Sequence, residues 1–165
     1  MKVFGVAGWK NSGKTHLVER LLAEFTVQGL RVSTIKHAHH HVDLDQPGKD
    51  SHRHRTAGAD EVMVVSGARW ALMHELRKEP EPTLDELLAK MTTVDLVLVE
   101  GFKTGPHPKI EVNRAGTGQP LLALDDPSIR AVATDTPEVY ALDRPVLQLD
   151  DTTAIAALIR AELRL

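Results

Sequence analysis

The sequence predicts an α/β fold, a mostly parallel twisted sheet flanked by helices with a polar hairpin or loop insertion, in a single domain over 1–165. Three observations carry that expectation. Short β-rich runs alternate with helical stretches, the pattern of strands joined by crossover helices. The run VDLVLVEG is apolar along most of its length, as expected of a strand covered on both faces. The first β-run, Lys2 to Ala7, passes through a glycine-containing loop directly into an amphipathic helix.

That helix extends from about Lys14 to Val27, with Leu17, Leu21, Leu22 and Phe25 on one face and Gly29 as its stop. RVSTIK makes the second strand, and a polar His/Asp-rich insertion occupies 37–58. Within the insertion, Asp50 or Ser51 could cap a short helix, SHRHRTAGA. EVMVVS is a strand, and WALMHE after Gly67 either pairs with it as a hairpin or continues the sheet. Thr83 with Glu86 three residues on predicts a capping box for LDELLAKM. KIEVN, PLLAL, RAVAT and PVLQL read as four further short strands. The last helix starts near Asp151 and carries AIAALIRAEL.

Composition narrows the function classes. A chain of 165 residues can bury a real core. A formal charge of −3 argues against general attraction to nucleic acid or an anionic membrane. The absence of cysteine excludes disulfides, thiolate–metal sites and a catalytic thiol. MKVFGVAGWKN turns polar too early for a signal peptide, and no apolar run approaches membrane-spanning length. The expectation is a cytoplasmic protein with neither nucleic acid nor membrane as partner.

Gly8-Trp9-Lys10-Asn11-Ser12-Gly13-Lys14-Thr15 matches G-x-x-x-x-G-K-[ST] in full. The chemistry needs this spacing, because successive backbone N–H groups must curl around a phosphate that Gly13 allows to approach closely. Lys14 can reach the β- and γ-phosphates and offset their charge, and the Thr15 hydroxyl can ligate Mg²⁺. The helix that follows, with His16 in its first turn, points its positive end at the same anion. A β-run before the loop and a helix after it supply the context of a P-loop NTPase, so residues 8–16 are expected to hold a nucleoside triphosphate. Lys10 stands third in the motif, whereas the deviant P-loop of some ATPases has lysine second, where this chain has Trp9. Lys10 is therefore given no intersubunit catalytic role.

A P-loop Mg²⁺ commonly has an acid near the end of another strand. VDLVLVEGFK offers Glu100 there, while Asp95 at the strand's beginning reads as a surface or capping residue. A fixed carboxylate can accept from both N1–H and the exocyclic amine of guanine, a donor pair that adenine lacks. No N/T-K-x-D tetrapeptide is present. Thr134-Asp135 is the nearest candidate, either as a base contact or as a turn before Thr136-Pro137.

GWKNSGKTHLVERLL, KHAHHHVDLDQPGKDSHRHRTAGA, LVLVEGFK with the following KIEV, and AVATD occur in this order. Over most of its length the chain thereby resembles the molybdopterin-guanine dinucleotide biosynthesis protein B (MobB) family. The P-loop is widely shared; the KH…D-x-D-x-P-G-K-D-S-x-R…A-G-A block with EGFK is far more specific. The resemblance implies a P-loop GTP-binding protein, usually a homodimer, that assists attachment of GMP to molybdopterin. The transfer itself would fall to a partner guanylyltransferase, leaving this chain as an accessory with weak Mg²⁺-dependent GTP hydrolysis. On that analogy Asp135 is the favoured guanine contact.

The insertion admits several readings. His37, His39, His40, His41, His52 and His54 invite a nickel or zinc site, yet no cysteine joins them and their spacing sets no geometry. Lys49, Arg53 and Arg55 could gather at a nucleotide or pterin phosphate. Lys103 in EGFK is either an anion contact or a solvent-facing lysine. Asp43 or Asp45 could orient a hydrolytic water or approach the metal-bound phosphate. With no evident arginine finger or catalytic glutamine, turnover should be slow. A nickel metallochaperone GTPase and a small-molecule kinase are the rival functions, and a hairpin around 37–47 could offer an edge for dimer pairing.

Overall fold

The computed structural model describes residues 1–38 and 45–165. Along the chain lie β1 (Lys2–Ala7), α1 (Lys14–Val27), β2 (Val32–Lys36), α2 (Asp50–Thr56), β3 (Glu61–Val65), β4 (Trp70–His74) and α3 (Leu84–Ala89). They are followed by β5 (Leu96–Glu100), β6 (Lys109–Asn113), β7 (Ile129–Thr134), β8 (Val146–Gln148) and α4 (Thr152–Leu163). These elements form two compact units, Met1–His37 with Met91–Leu165, and Ala38–Lys90. Among the described residues no helix is long and apolar enough to cross a membrane.

In the first unit six strands make one parallel sheet, ordered β2-β5-β1-β6-β7-β8. Strand alternation sends Phe4, Leu98, Ile110 and Ala131 into a core with Leu17, Leu21 and Phe25 of α1 and Ile155 and Ile159 of α4. Leu121 and Ala123 from the segment before β7 pack with Ile129 and Val132 in a smaller, separate cluster. Gly29 adopts φ 84° just beyond α1, as a residue that stops a helix in the left-handed region does. Asp151 caps α4 by accepting from the Ala154 N–H at 2.9 Å. Asp95 is a structural acceptor for the Arg31 N–H at 2.7 Å.

PLLAL is not a strand. Its centre, Leu122–Leu124, forms a 3₁₀ turn. The Leu122 and Ala123 N–H groups donate to the Glu111 carboxylate at 2.9 and 2.8 Å. A fully buried carboxylate thus takes the donors that a strand would have offered to a ladder.

In the second unit, WALMHE closes a separate two-stranded antiparallel hairpin on β3, with Val65 opposite Trp70 and Met63 opposite Leu72. Thr83 and Glu86 form the expected capping box of α3. The N-cap of α2 is Lys49, with no side-chain cap, rather than Asp50 or Ser51. Asp50 lies in the first turn 3.6 Å from Arg53, and the Ser51 hydroxyl is drawn to Asp45 at 2.8 Å.

Candidate functional site

Strand register gathers the carboxyl ends of the sheet onto one edge, where ligands of open α/β sheets bind. Val6 and Lys36 both sit opposite Glu100, and Ala7 sits opposite Glu111. The loop leaving β1 is therefore flanked by the ends of β5 and β6. Gly8 has φ 143°, and a β-carbon there would fall 2.3 Å from the Val112 carbonyl oxygen. Only glycine fits. Gly13, at φ 101°, is the N-cap of α1 and provides no side-chain cap, so the first-turn N–H groups keep their capacity for an anion. The Ser12 hydroxyl is 1% exposed and has no hydrogen-bond partner among the described residues.

Lys14 donates to the Trp9 carbonyl oxygen at 2.6 Å. Burial holds its pKa below the ordinary lysine value, with Glu100 opposing that shift and the Lys103 and Lys36 cations adding to it. The Thr15 hydroxyl donates to Glu100 at 2.9 Å, and the Lys36 ammonium lies 3.3 Å from both oxygens. A cleft of about 360 Å³ is lined by Asn11, Gly13, Lys14, Thr15, His16 and Glu100. His16 itself is exposed and faces Glu19 at 3.5 Å.

A second cleft, about 690 Å³, is lined by Trp9, Lys10 and Asn11 from the loop, with Arg114, Thr117 and Asp135 among the residues opposite. Asn11 belongs to both clefts. Trp9 joins three segments: its indole N–H donates to the Pro120 carbonyl at 2.8 Å, and the Lys103 ammonium rests 4.3 Å from its ring centroid. Asp135 is held by the Ala115 N–H at 3.0 Å, leaving its second oxygen 4.0 Å from Arg114. Thr134 is buried, donates to Asn113 at 3.4 Å and accepts from the Thr136 N–H at 3.3 Å; it is a support for Asp135 rather than a wall of the cleft.

The donor set fits Mg²⁺ and a triphosphate. An aligned hydroxyl and carboxylate and an uncapped helix start meet at one anion-sized cleft, and the orphaned Ser12 hydroxyl lies inside the loop beside Gly8.

Asp45, Lys49 and Arg53 belong to the second unit, where Asp45 faces Arg55 at 3.6 Å. Asp43, His39, His40 and His41 lie outside the described residues. His37 packs its ring on Phe102 at 4.6 Å and donates its backbone N–H to the Glu100 carbonyl at 2.8 Å. Among the described residues no three His, Asp or Glu side chains group as a metal site. Sequence reasoning missed Lys36 and Arg114, whose guanidinium would stand 3.2 Å from a β-carbon at Gly13. Their positions at or just past the ends of VSTIK and KIEVN were the signal that could have found them, the same one that pointed to Glu100.

The profile of the family described as molybdopterin guanine dinucleotide synthesis protein B matches residues 3–135. The chain belongs to this family. It is 41% identical over 157 residues to the "Molybdopterin-guanine dinucleotide biosynthesis adapter protein" of Haemophilus influenzae, covering 93% of this chain and 85% of that one. It is 42% identical over 153 residues to the protein of the same name in Escherichia coli, covering 91% and 86%. Among solved MobB structures, that of Bacillus subtilis superposes with a TM-score of 0.78 at 29% identity, over 99% of this chain and 98% of that chain. The MobB homolog of Bacillus stearothermophilus gives 0.71 at 30%, over 99% of each. The MobB likeness therefore extends to the P-loop NTPase-like sheet and its helices.

Proposed function

We propose that this protein is a GTP-binding adapter in molybdenum cofactor biosynthesis, assisting conversion of molybdopterin to its guanine dinucleotide form alongside a guanylyltransferase. The names of its relatives support the pathway. The observation that carries the nucleotide reading is the Thr15–Glu100 hydrogen bond beside a complete phosphate loop. In this reading Lys14 and the N–H groups at the start of α1 bind the phosphates, and Asp135 at the second cleft reads the base. Thr15 and Glu100 are the residues that would hold Mg²⁺, which supplies charge neutralisation of the β- and γ-phosphate oxygens. Slow Mg²⁺-dependent hydrolysis belongs to this reading, and Lys49 and Arg53 are its candidate contacts for an anionic pterin phosphate. Met63, Val65, Trp70 and Leu72 share one face of the hairpin and are 45–69% exposed, which supports a homodimer that covers them.

Calorimetric titration with GTP and ATP, each with and without Mg²⁺, tests the site. GTP should bind more tightly than ATP, and Lys14→Ala should weaken GTP binding by about 10- to 100-fold, the worth of a charge-assisted contact. Unchanged affinity in Lys14→Ala would remove the phosphate role.

A further inference from the structure

Glu100 is an acid on the buried side of the cleft, with a side chain only 11% exposed. A carboxylate so placed is costly without a counter-charge. The parallel register sets Lys36, the last residue of the edge strand β2, directly opposite Glu100. From there its ammonium approaches the Glu100 carboxylate oxygen and the Thr15 hydroxyl oxygen at 3.3 Å each. The Lys36 side chain is 58% exposed, so packing alone does not hold it there. Lys14 acts on Glu100 through space, but its ammonium makes its hydrogen bond to the Trp9 carbonyl, so Lys36 is the cation in direct contact with the carboxylate. Lys103 is spent on the Trp9 ring.

We infer that Lys36 is a tethered surrogate for the divalent cation: it seats on the two oxygens that would ligate Mg²⁺, and the metal must displace it to bind. The inference rests on the reading of residues 8–15 as a triphosphate loop. One positive charge is exchanged for two, so Glu100 is neutralised in both states and never confronts the phosphates bare. The consequence is a damped coupling between metal and nucleotide. The wild-type loop accepts nucleotide without metal, and Mg²⁺ adds only the difference between the two cations. Without the lysine, metal-free binding must bring phosphate against a carboxylate that has lost its contacting cation, and Mg²⁺ meets no competitor on those two oxygens.

The test is a calorimetric titration of a non-hydrolysable GTP analogue into wild type, Lys36→Met and Lys36→Arg, in EDTA and across a Mg²⁺ series. Lys36→Met should weaken binding in EDTA and lower the half-saturating Mg²⁺ concentration. Together these should widen the ratio of affinities with and without metal by about tenfold, the scale of one partly screened charge contact. Lys36→Arg keeps the cation and should stay near wild type. A measurement on the unaltered chain needs no variant to fold: the Lys36 side-chain ammonium resonance should shift when Mg²⁺ is added with the analogue. Identical metal dependence in wild type and folded Lys36→Met, or an unmoved Lys36 resonance, overturns the inference while the nucleotide reading stands. Failure of wild type to bind the analogue at all would defeat both.

Discussion

Thr15 and Glu100, 85 positions apart, meet through a 2.9 Å hydrogen bond at the mouth of the phosphate loop. The hydroxyl opens α1 and the carboxylate ends β5, so the pair exists only because β5 lies beside β1. Glu100→Gln keeps the shape and removes the charge. We expect Mg²⁺ to enhance nucleotide affinity about tenfold less in that variant than in wild type, by the arithmetic of one lost charge contact. Titrations in EDTA and in saturating Mg²⁺ read this directly, and an undiminished enhancement would exclude Glu100 from the metal site.

Glu111 holds the wall of the larger cleft from behind. Both its oxygens accept backbone N–H groups, from Leu122 and Ala123, while burial pushes its pKa up against those two bonds. Glu111→Gln would turn an amide NH₂ toward one of these donors and leave it unsatisfied. A loss of roughly 1–3 kcal/mol in unfolding free energy follows, measurable by urea denaturation. Base binding should weaken in parallel, because 115–124 carries the cleft residues Gly116, Thr117 and Gln119.

His107 should make stability fall in mild acid. Both its ring nitrogens are buried without a hydrogen-bond partner among the described residues, and its ring lies where a β-carbon on Gly5 would come within 2.7 Å. Burial, with the neighbouring Lys109 cation, lowers its pKa to about 4, against a smaller opposing pull from Asp126. The unfolded chain then binds the extra proton first as pH drops through the ordinary histidine value. The contribution of neutral His107 is complete above about pH 6.5 and is lost progressively toward pH 4. Allowing for solvent screening, wild type should lose about 1–2 kcal/mol more than His107→Leu across that window. Parallel pH profiles of the two proteins would contradict this.

The hairpin predicts an oligomeric state. Trp70 and Val65 are cross-strand partners, 66% and 69% exposed, on a face extended by Met63 and Leu72. Replacing Trp70 with glutamate places a charge on that apolar face, and a homodimer built on it should dissociate to monomer in sedimentation experiments. An unaltered sedimentation coefficient would move the dimer contact elsewhere.

Features made by near neighbours in the chain are legible in the amino-acid order alone. The eight-residue phosphate loop, the Thr83–Glu86 capping box and the Asp151 cap depend on backbone geometry over a few positions, which residue type and spacing determine. The apolar run before Glu100 likewise marks a buried strand and the acid at its end. Strand order decides the rest. No local pattern says that β5 enters between β1 and β2, yet that insertion places Lys36 beside Glu100 and both beside Thr15. Nor could β-propensity foresee that Glu111 would claim the N–H groups of PLLAL and bend it into a turn. Side chains far apart in sequence become partners only through the register of the sheet, and that register is settled by collective packing rather than by any one segment.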